Sequence, residues 1–293
     1  MGSFRYHESL KSRIKVFYKK QKWIFRYRKA RFLNRKDAEK VKRINYHIEN
    51  IKRSNTRSAY RDMVLDPTTL KIAVYTCIFG AYDSVKKINC KSRFCDYWII
   101  TDRQIDPASG WKIFHVDFPE DIKDASPTIK NRYCKMHPHI LFPNYPYSIY
   151  MDGSIQIDAD IFPLLGRLGA HFIGMYDHYR RDCIYEEAKT VIRTKKAPED
   201  IVTLQMQKYH DEGFPEHFGL TEGCIIVRRH NDPVCIRIME EWWSILLQYA
   251  KRDQLGLMYV MWKNGFTRDD IATLGYHYEY EARISSEGHK NGR

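Results

Sequence analysis

The stretch SIYMDGSIQI, residues 148–157, places an acidic turn between two apolar segments. Its first four residues read as a buried β-strand and its last three as a second strand. Asp152 ends the first strand, Gly153 allows a tight turn, and Ser154 supplies another oxygen two residues after the carboxylate. Such oxygen atoms are suited to Mg²⁺ or Mn²⁺, but the same tripeptide also occurs as an ordinary turn.

The segments upstream of this turn alternate between short apolar strands and a helix. We predict strands at Lys71–Phe79, Asp96–Thr101 and Trp111–Val116, and a helix at Ile129–Leu141. This alternation predicts an α/β domain with a Rossmann-like mixed, mainly parallel sheet and helices on both faces. Ligands bind beyond the carboxyl ends of the strands in such sheets, which would place Gly80–Ser84, Asp102 and Asp152 around one crevice.

The basic excess of the chain lies in its N-terminal segment. Residues 1–62 hold 20 Lys and Arg against 5 Asp and Glu, whereas the rest of the chain holds 29 basic and 31 acidic residues. This segment has no proline, and Val41, Ile44, Ile48 and Ile51 recur at helical spacing. We therefore predict a basic amphipathic helical arm over residues 1–66 and one domain over residues 67–293.

The arm has three candidate partners. Its apolar stripe could pack on the main domain or on a second copy of the chain, which leaves an oligomer open. Between Phe17 and Phe32, aromatic side chains alternate with Lys and Arg, as in helices that bind an anionic membrane surface. Nucleic acid is less favoured because the arm has no recognisable reading motif and the remaining chain is slightly acidic.

Composition excludes several other classes of protein. A chain of 293 residues with 43% hydrophobic residues can bury a large core. Its seven cysteines form no CxxC pair, which favours reduced core thiols over a disulfide framework or a zinc site. No apolar run approaches the ~20 residues of a membrane span. We expect a cytoplasmic protein, with peripheral attachment to the inner face of a membrane left open.

Five motifs give the chain a family resemblance. They are YTCIFGAYDS (75–84), RYCKMHPHILFPNYPYSIYMDGSIQI (132–157), RDCIYEEA (181–188), EGCIIVRRHNDP (222–233) and RDQLGLMYVMWKNG (252–265). Together they resemble the glycosyltransferase-like domain shared by plant mucilage-associated proteins and bacterial capsule or surface-polysaccharide enzymes. The similarity extends more remotely to glycogenin-type and lipopolysaccharide galactosyltransferases of GT-A fold. It covers roughly Lys71 to Arg268.

The resemblance implies a metal-dependent glycosyltransferase. The donor would be a nucleotide sugar, with a UDP-sugar favoured, and the acceptor a saccharide or lipid-linked saccharide in capsule or surface-polysaccharide synthesis. Mn²⁺ or Mg²⁺ would be held by Asp152, Ser154 and a late histidine, with His289 favoured over His277. One departure matters, because these enzymes typically carry Asp-x-Asp and the second acid is here Ser154.

The resemblance also assigns roles to individual residues. Residues that would bind the donor nucleotide and its diphosphate are Phe79, Gly80, Tyr82, Asp102, Arg132, Lys135, Asp152, Gly153, Ser154 and His178. Glu222 would accept a hydrogen bond from a sugar hydroxyl or act as a catalytic base. Asp253 would line the donor sugar. Each position also has a plainer interpretation as a turn, a solvated helix face or an internal ion pair.

Two other functions remain open. A nucleotidyl or phosphoryl transferase would use the same metal site. A non-catalytic, membrane-associated scaffold would keep the fold without the activity, and Ser154 in place of an acid is the reason to consider it. Donor hydrolysis in the presence of Mn²⁺ separates a glycosyltransferase from a scaffold, and the identity of the phosphate product separates the two transferases.

Overall fold

The computed structural model of the chain describes residues 8–53, 71–80 and 83–286. Its N-terminal part is helical, as predicted, with α1 at Leu10–Leu33 and α2 at Ala38–Arg53. Helix α1 begins after Ser9, whose hydroxyl accepts a hydrogen bond from the Ser12 amide at 3.2 Å. The predicted boundary at residue 66, together with Tyr82 and His289, lies outside the described residues.

The centre of the molecule is a seven-stranded sheet in the order β3-β2-β1-β4-β7-β6-β8. Its strands are β1 (Ile72–Ile78), β2 (Cys95–Thr101), β3 (Lys112–Ile113), β4 (Tyr147–Met151), β6 (Ile173–Asp177), β7 (Thr221–Arg228) and β8 (Ala272–Gly275). Among them β7 alone runs antiparallel to its neighbours. Strands β5 (Ile155–Ile157) and β9 (Ile284–Ser286) form a second, antiparallel sheet. The predicted mixed, mainly parallel sheet with helices around it is confirmed.

The helices of the domain fill the intervals between the strands. They are α3 (Glu120–Lys123), α4 (Pro127–Met136), α5 (Pro138–Leu141), α6 (Ile184–Arg193), α7 (Glu199–Asp211), α8 (Pro233–Gln248) and α9 (Leu257–Lys263). The single helix predicted at Ile129–Leu141 is interrupted at His137, because Pro138 disfavours a helical conformation in the residue before it and has no amide hydrogen to donate. The strand predicted at Trp111–Val116 is also shorter than expected, since β3 contains only Lys112 and Ile113.

Alternate residues of β1 serve two hydrophobic clusters. Ala73, Tyr75 and Cys77 face the cluster formed with the helices of the domain. Ile72 and Val74 face the opposite cluster, which includes the 3-10 helix Phe162–Arg167 and the small sheet. The parallel register pairs Tyr75 with Tyr150, so β1 and β4 end at the same edge of the sheet. This edge carries the candidate site.

Helix α1 packs one face on the main domain. Val16 and Trp23 cluster with Ala159 and Ala282, and Lys19 forms an ion pair with Asp158 at 3.1 Å. Farther along the helix, the Tyr27 hydroxyl donates a hydrogen bond to the Tyr280 hydroxyl at 3.1 Å. Packing on the main domain, one of the predicted roles of the arm, is therefore present in the structure.

Two further features are the state of the cysteine thiols and the length of the helices. All seven cysteines lie in described residues and carry free thiols, and five of them are buried. None of the helices in the described ranges is long and apolar enough to cross a membrane.

Candidate functional site

A cavity of about 960 Å³ opens at the carboxyl ends of β1 and β4 and the start of β7. Its volume falls within the usual range for small-molecule sites. Of the residues predicted from the sequence, Phe79, Gly80, Arg132, Lys135, Asp152, Gly153, His178, Glu222 and Asp253 line it. Residues that are more than 150 positions apart in the chain thus meet where the rule for parallel sheets places a ligand.

Lys135 is the centre of the charged wall of this cavity. It lies on α4 and is 1% exposed. Its ammonium group donates a hydrogen bond to Asp253 Oδ2 and lies 4.0 Å from Asp152 Oδ1. On the same helix face, Arg132 Nε lies 3.4 Å from Asp253 Oδ1. Both oxygen atoms of Asp253 therefore face a cation, and the carboxylate holds the two cations in place.

The pKa of Asp253 follows from these contacts. Burial alone would raise it, but the positive charges of Arg132, Lys135 and Arg252 outweigh burial and hold the pKa well below its usual range. Asp253 is therefore ionised throughout the physiological pH range. Its role as a contact of the donor sugar stays a prediction, since the groups it faces in the structure are the neighbouring cations.

Asp152 follows β4 and presents its carboxylate to the cavity. The Tyr150 hydroxyl donates a hydrogen bond to its Oδ1 at 2.8 Å, and its side chain is 31% exposed. Gly153 is needed here because a Cβ atom would lie 2.8 Å from Ile78 Cγ1 and 3.1 Å from Asp83 Oδ2. The carboxylate of Asp83 thus lies against the turn that follows Asp152.

The side chains of the described residues show which ligands are available to the expected divalent metal. They contain no group of three His, Cys, Asp or Glu side chains arranged to hold one. Ser154 is buried and is not among the described residues that line the cavity. Mg²⁺ nevertheless often binds through one or two carboxylates, with water and substrate phosphates completing its shell. Asp152, with Asp83 beside it, fits a site of that kind.

His277, the alternative late histidine, contacts carboxylates. Its Nδ1 lies 2.9 Å from Glu222 Oε2, its Nε2 lies 3.4 Å from Glu279 Oε2, and its ring stacks on Tyr179. Burial raises the pKa of Glu222, and the hydrogen bond with His277 opposes that rise. Glu222 is thus a carboxylate with a raised pKa at the cavity wall, and a raised pKa strengthens a carboxylate as a proton acceptor.

His178 is a neutral imidazole in the cavity wall. Burial and the positive charge of Arg181 lower its pKa to about 4. Its Nδ1 accepts a hydrogen bond from the Arg181 amide at 3.0 Å, so the neutral ring carries its proton on Nε2. This nitrogen is 3.8 Å from Glu187. His178 can therefore present a polar hydrogen at neutral pH.

Asp102 supports the site without lining the main cavity. Its carboxylate accepts a hydrogen bond from the Gly80 amide at 2.9 Å, where glycine permits a φ of 63°. Asp102 instead lines a neighbouring cavity of about 350 Å³, which shares Phe79 and Pro127 with the first. The predicted contact between Asp102 and a base or ribose stays a prediction.

Sequence reasoning did not single out several residues of the site. Asp83 fell within a predicted loop, and Lys196, Lys251 and Tyr278 carried no motif. Arg252 immediately precedes Asp253, and its buried Nε has no hydrogen-bond acceptor among the residues that the structure describes. The basic pair Lys251 and Arg252, directly before Asp253, is a sequence signal for a charged wall at this point of the chain.

Comparison with known proteins assigns a family. The family described as "TOD1/MUCI70, glycosyltransferase-like domain" matches residues 28–274, a range that begins near the end of α1. The "Probable hexosyltransferase MUCI70" of Arabidopsis thaliana is 24% identical over 227 residues, covering 69% of this chain. The match spans only 38% of that relative's length.

Solved glycosyltransferase structures show a weaker likeness. The galactosyltransferase LgtC, in complex with donor and acceptor sugar analogues, is 10% identical and has a TM-score of 0.40, over 75% of this chain and 90% of that chain. Mouse xyloside xylosyltransferase 1 is 12% identical and has a TM-score of 0.41, over 76% and 99% of the two chains. The fold assignment rests on the strand order and directions described above.

Proposed function

The chain belongs to the TOD1/MUCI70 glycosyltransferase-like domain family, and from that premise we propose that it transfers a sugar from a nucleotide-sugar donor. The acceptor is a saccharide or a lipid-linked saccharide, and the product belongs to capsule or surface-polysaccharide synthesis. A UDP-sugar is the proposed donor class. The cytoplasm remains the compartment predicted from the sequence.

One observation carries this proposal. The cavity at the sheet edge brings Arg132, Lys135 and Arg252 together beside the turn at Asp152. A departing nucleoside diphosphate accumulates negative charge, and fixed cations in a partly buried cavity stabilise that charge. Lys135 and Arg132 are already held by Asp253, so little reorganisation is needed during the reaction.

We propose Mn²⁺ or Mg²⁺ as the cofactor. Asp152 would hold the ion with Asp83 beside it, and the donor diphosphate would complete the shell. When bound, a divalent cation neutralises phosphate charge as a Lewis acid. The other roles belong to side chains of this protein. Lys135, Arg132 and Arg252 face the diphosphate. Glu222 accepts a proton or a hydrogen bond from the acceptor hydroxyl.

Turnover of a panel of nucleotide sugars with and without Mn²⁺ tests the function. We expect one donor to yield nucleoside diphosphate and free or transferred sugar only when the metal is present. The same donor should raise the melting temperature, since a ligand at 100 times its Kd stabilises the folded state by about 2.7 kcal/mol. Nucleoside monophosphate or sugar 1-phosphate as product would show that the P–O–P bond is cleaved, which would identify a phosphoryl or nucleotidyl transferase. Absence of both binding and turnover for every donor would identify a scaffold.

The contact between His277 and Glu222 leads to a pH prediction. His277→Phe keeps a ring stacked on Tyr179 but removes the hydrogen bond that opposes the raised pKa of Glu222. The pKa of Glu222 should then rise further. If ionised Glu222 is the base, the acidic limb of the profile of kcat/KM against pH should move to higher pH by about one unit. A shift of that size corresponds to the loss of one hydrogen bond of roughly 1.4 kcal/mol.

Glu279→Gln is the matched control for this experiment. Glu279 faces the other ring nitrogen of His277, and its side chain is 60% exposed. Solvent screens an exposed charge, so this variant should shift the acidic limb much less than His277→Phe does. An acidic limb that stays in place in His277→Phe, whatever happens to kcat, would show that Glu222 is not the base.

A further inference from the structure

Helix α1 is apolar on two opposite faces. Its docked face carries Val16 and Trp23, which pack on the main domain. Phe25 lies nine residues beyond Val16, and nine steps of 100° place it on the opposite side of the helix. The outer face, defined as Leu10, Ile14, Phe17, Phe25 and Phe32, is 69%, 45%, 57%, 71% and 65% exposed respectively. Among the described residues, the docked face is packed on the main domain, whereas the five side chains of the outer face remain exposed.

The charge of α1 identifies the chemistry of the second partner. Leu10–Leu33 contains ten Lys and Arg residues and no Asp or Glu. Lys19 is paired with Asp158, whereas Lys22, Arg26 and Lys29 are exposed beside the outer face. The partner must therefore present apolar groups together with several negative charges.

We propose that the outer face of α1 binds an anionic lipid surface. The aromatic side chains would enter the boundary between headgroups and acyl chains, and the flanking cations would lie at the anionic headgroups. A second copy of the chain fits less well, because an α1–α1 contact would bring two sets of ten cations together without an acid from either helix. Lipid supplies the negative charge that another α1 lacks.

The contacts of the docked face hold the outer face of α1 in a fixed position on the main domain. Besides the Lys19 ion pair, the Ser12 hydroxyl accepts a hydrogen bond from the Asp160 amide at 2.8 Å, and Arg283 donates to Glu8 at 2.6 Å. Tyr27 bonds to Tyr280, two residues from Tyr278 in the cavity wall. Lipid binding on the outer face would therefore orient the domain, and its opening, relative to the membrane plane.

The test uses the full chain and vesicles without any sugar substrate, so it is independent of the proposed activity. Sedimentation is measured with phosphatidylcholine vesicles and with vesicles containing about one third phosphatidylglycerol. We expect binding to the anionic vesicles only, weakened when salt is raised from about 0.1 M to about 0.5 M. The triple variant Phe17→Ser/Phe25→Ser/Phe32→Ser should lower the partition coefficient at least tenfold.

A control removes three other exposed apolar side chains, which lie outside α1. Ile113→Ser/Ile140→Ser/Leu204→Ser changes three exposed residues of the main domain and should bind vesicles as the wild type does. Thermal unfolding verifies that both triple variants are folded, which is expected because neither alters the docked face of α1.

A second variant locates the contact by fluorescence. Phe25→Trp adds a tryptophan to the outer face, whereas the native Trp23 lies on the docked face. Vesicles of brominated anionic lipid should therefore quench a larger part of the emission in this variant than in the wild type. No additional quenching would overturn the proposal.

Three other outcomes would also overturn it. These are equal vesicle binding by the wild type and the Phe17/Phe25/Phe32 variant, equal binding to neutral and anionic vesicles, and a wild-type dimer that this variant abolishes while neither protein binds vesicles. The last result would assign the outer face to a second copy of the chain.

Discussion

Asp253→Asn is expected to lower kcat/KM by at least about a hundredfold and the free energy of unfolding at neutral pH by roughly 3 kcal/mol. The carboxylate faces Lys135 with one oxygen and Arg132 with the other, and Lys135 is 1% exposed. Asparagine keeps the shape but leaves the buried ammonium without its nearest negative charge. Steady-state kinetics and urea unfolding measure the two losses.

The stability loss should depend on pH in a defined direction. The pKa of Asp253 is lowered in the folded state, so its contribution is fully present above the unfolded pKa of about 3.9 and is lost as the pH falls through the lower, folded value. The difference in unfolding free energy between wild type and Asp253→Asn should therefore be constant from neutral pH to about pH 5 and shrink below about pH 4.

A double variant separates stability from function. Lys135→Met combined with Asp253→Asn removes both charges, and replacing a buried ion pair by groups of similar volume is often close to neutral for stability. We expect the double variant to recover much of the stability lost in Asp253→Asn but none of the activity. The exposed pair Lys123 and Glu120 gives the control, since Glu120→Gln should cost less than about 1 kcal/mol.

Binding of the bare nucleoside diphosphate decides which part of the site Asp253 serves. Because the cations remain in Asp253→Asn, we expect calorimetry to show nearly unchanged affinity for the diphosphate. A loss of affinity as large as that in an Asp152 variant would contradict this expectation. It would assign Asp253 to the metal or phosphate site and not to the donor sugar.

The sheet and the position of the cavity at its edge were predictable from the sequence. Three apolar segments each form one buried strand, namely the β-branched run after Lys71, the run ending at Thr101 and the SIYM segment. Parallel strands present their carboxyl ends at one edge of the sheet. Gly80, Asp152 and Gly153 follow such ends directly. Local pattern was sufficient there, because position along a strand determines which edge a residue reaches.

The pairing of the charged residues was not predictable in the same way. Lys135 and Asp253 lie 118 residues apart and were assigned separately, one to the diphosphate and the other to the sugar. Their contact depends on how α4 lies against the 3-10 helix Asp253–Leu255, which no local pattern determines. His277 shows the same limit, because its pairing with Glu222 depends on how the chain after β8 approaches β7.

Asp152→Asn is the second substitution with a large expected effect. It should abolish Mn²⁺-dependent donor binding and lower kcat/KM by at least about a hundredfold, because it removes the carboxylate charge proposed to hold the metal. The fold should remain intact, since the side chain faces the cavity and an amide oxygen can still accept the hydrogen bond of the Tyr150 hydroxyl. Isothermal calorimetry with donor, with and without Mn²⁺, and thermal unfolding provide the measurements.

Three further variants identify what the Asp152 result means. Asp152→Ala should lose the same activity and also some stability, because it leaves the buried Tyr150 hydroxyl without its acceptor at a cost of about 1–3 kcal/mol. Tyr150→Phe removes that hydroxyl and keeps the carboxylate, so metal-dependent binding should survive.

Ser154→Ala should be milder than either Asp152 variant, since Ser154 is buried away from the cavity lining. Unchanged Mn²⁺-dependent donor binding in Asp152→Asn would place the metal elsewhere, and a loss in Ser154→Ala equal to that in Asp152→Asn would make Ser154 a ligand or an essential support of the site.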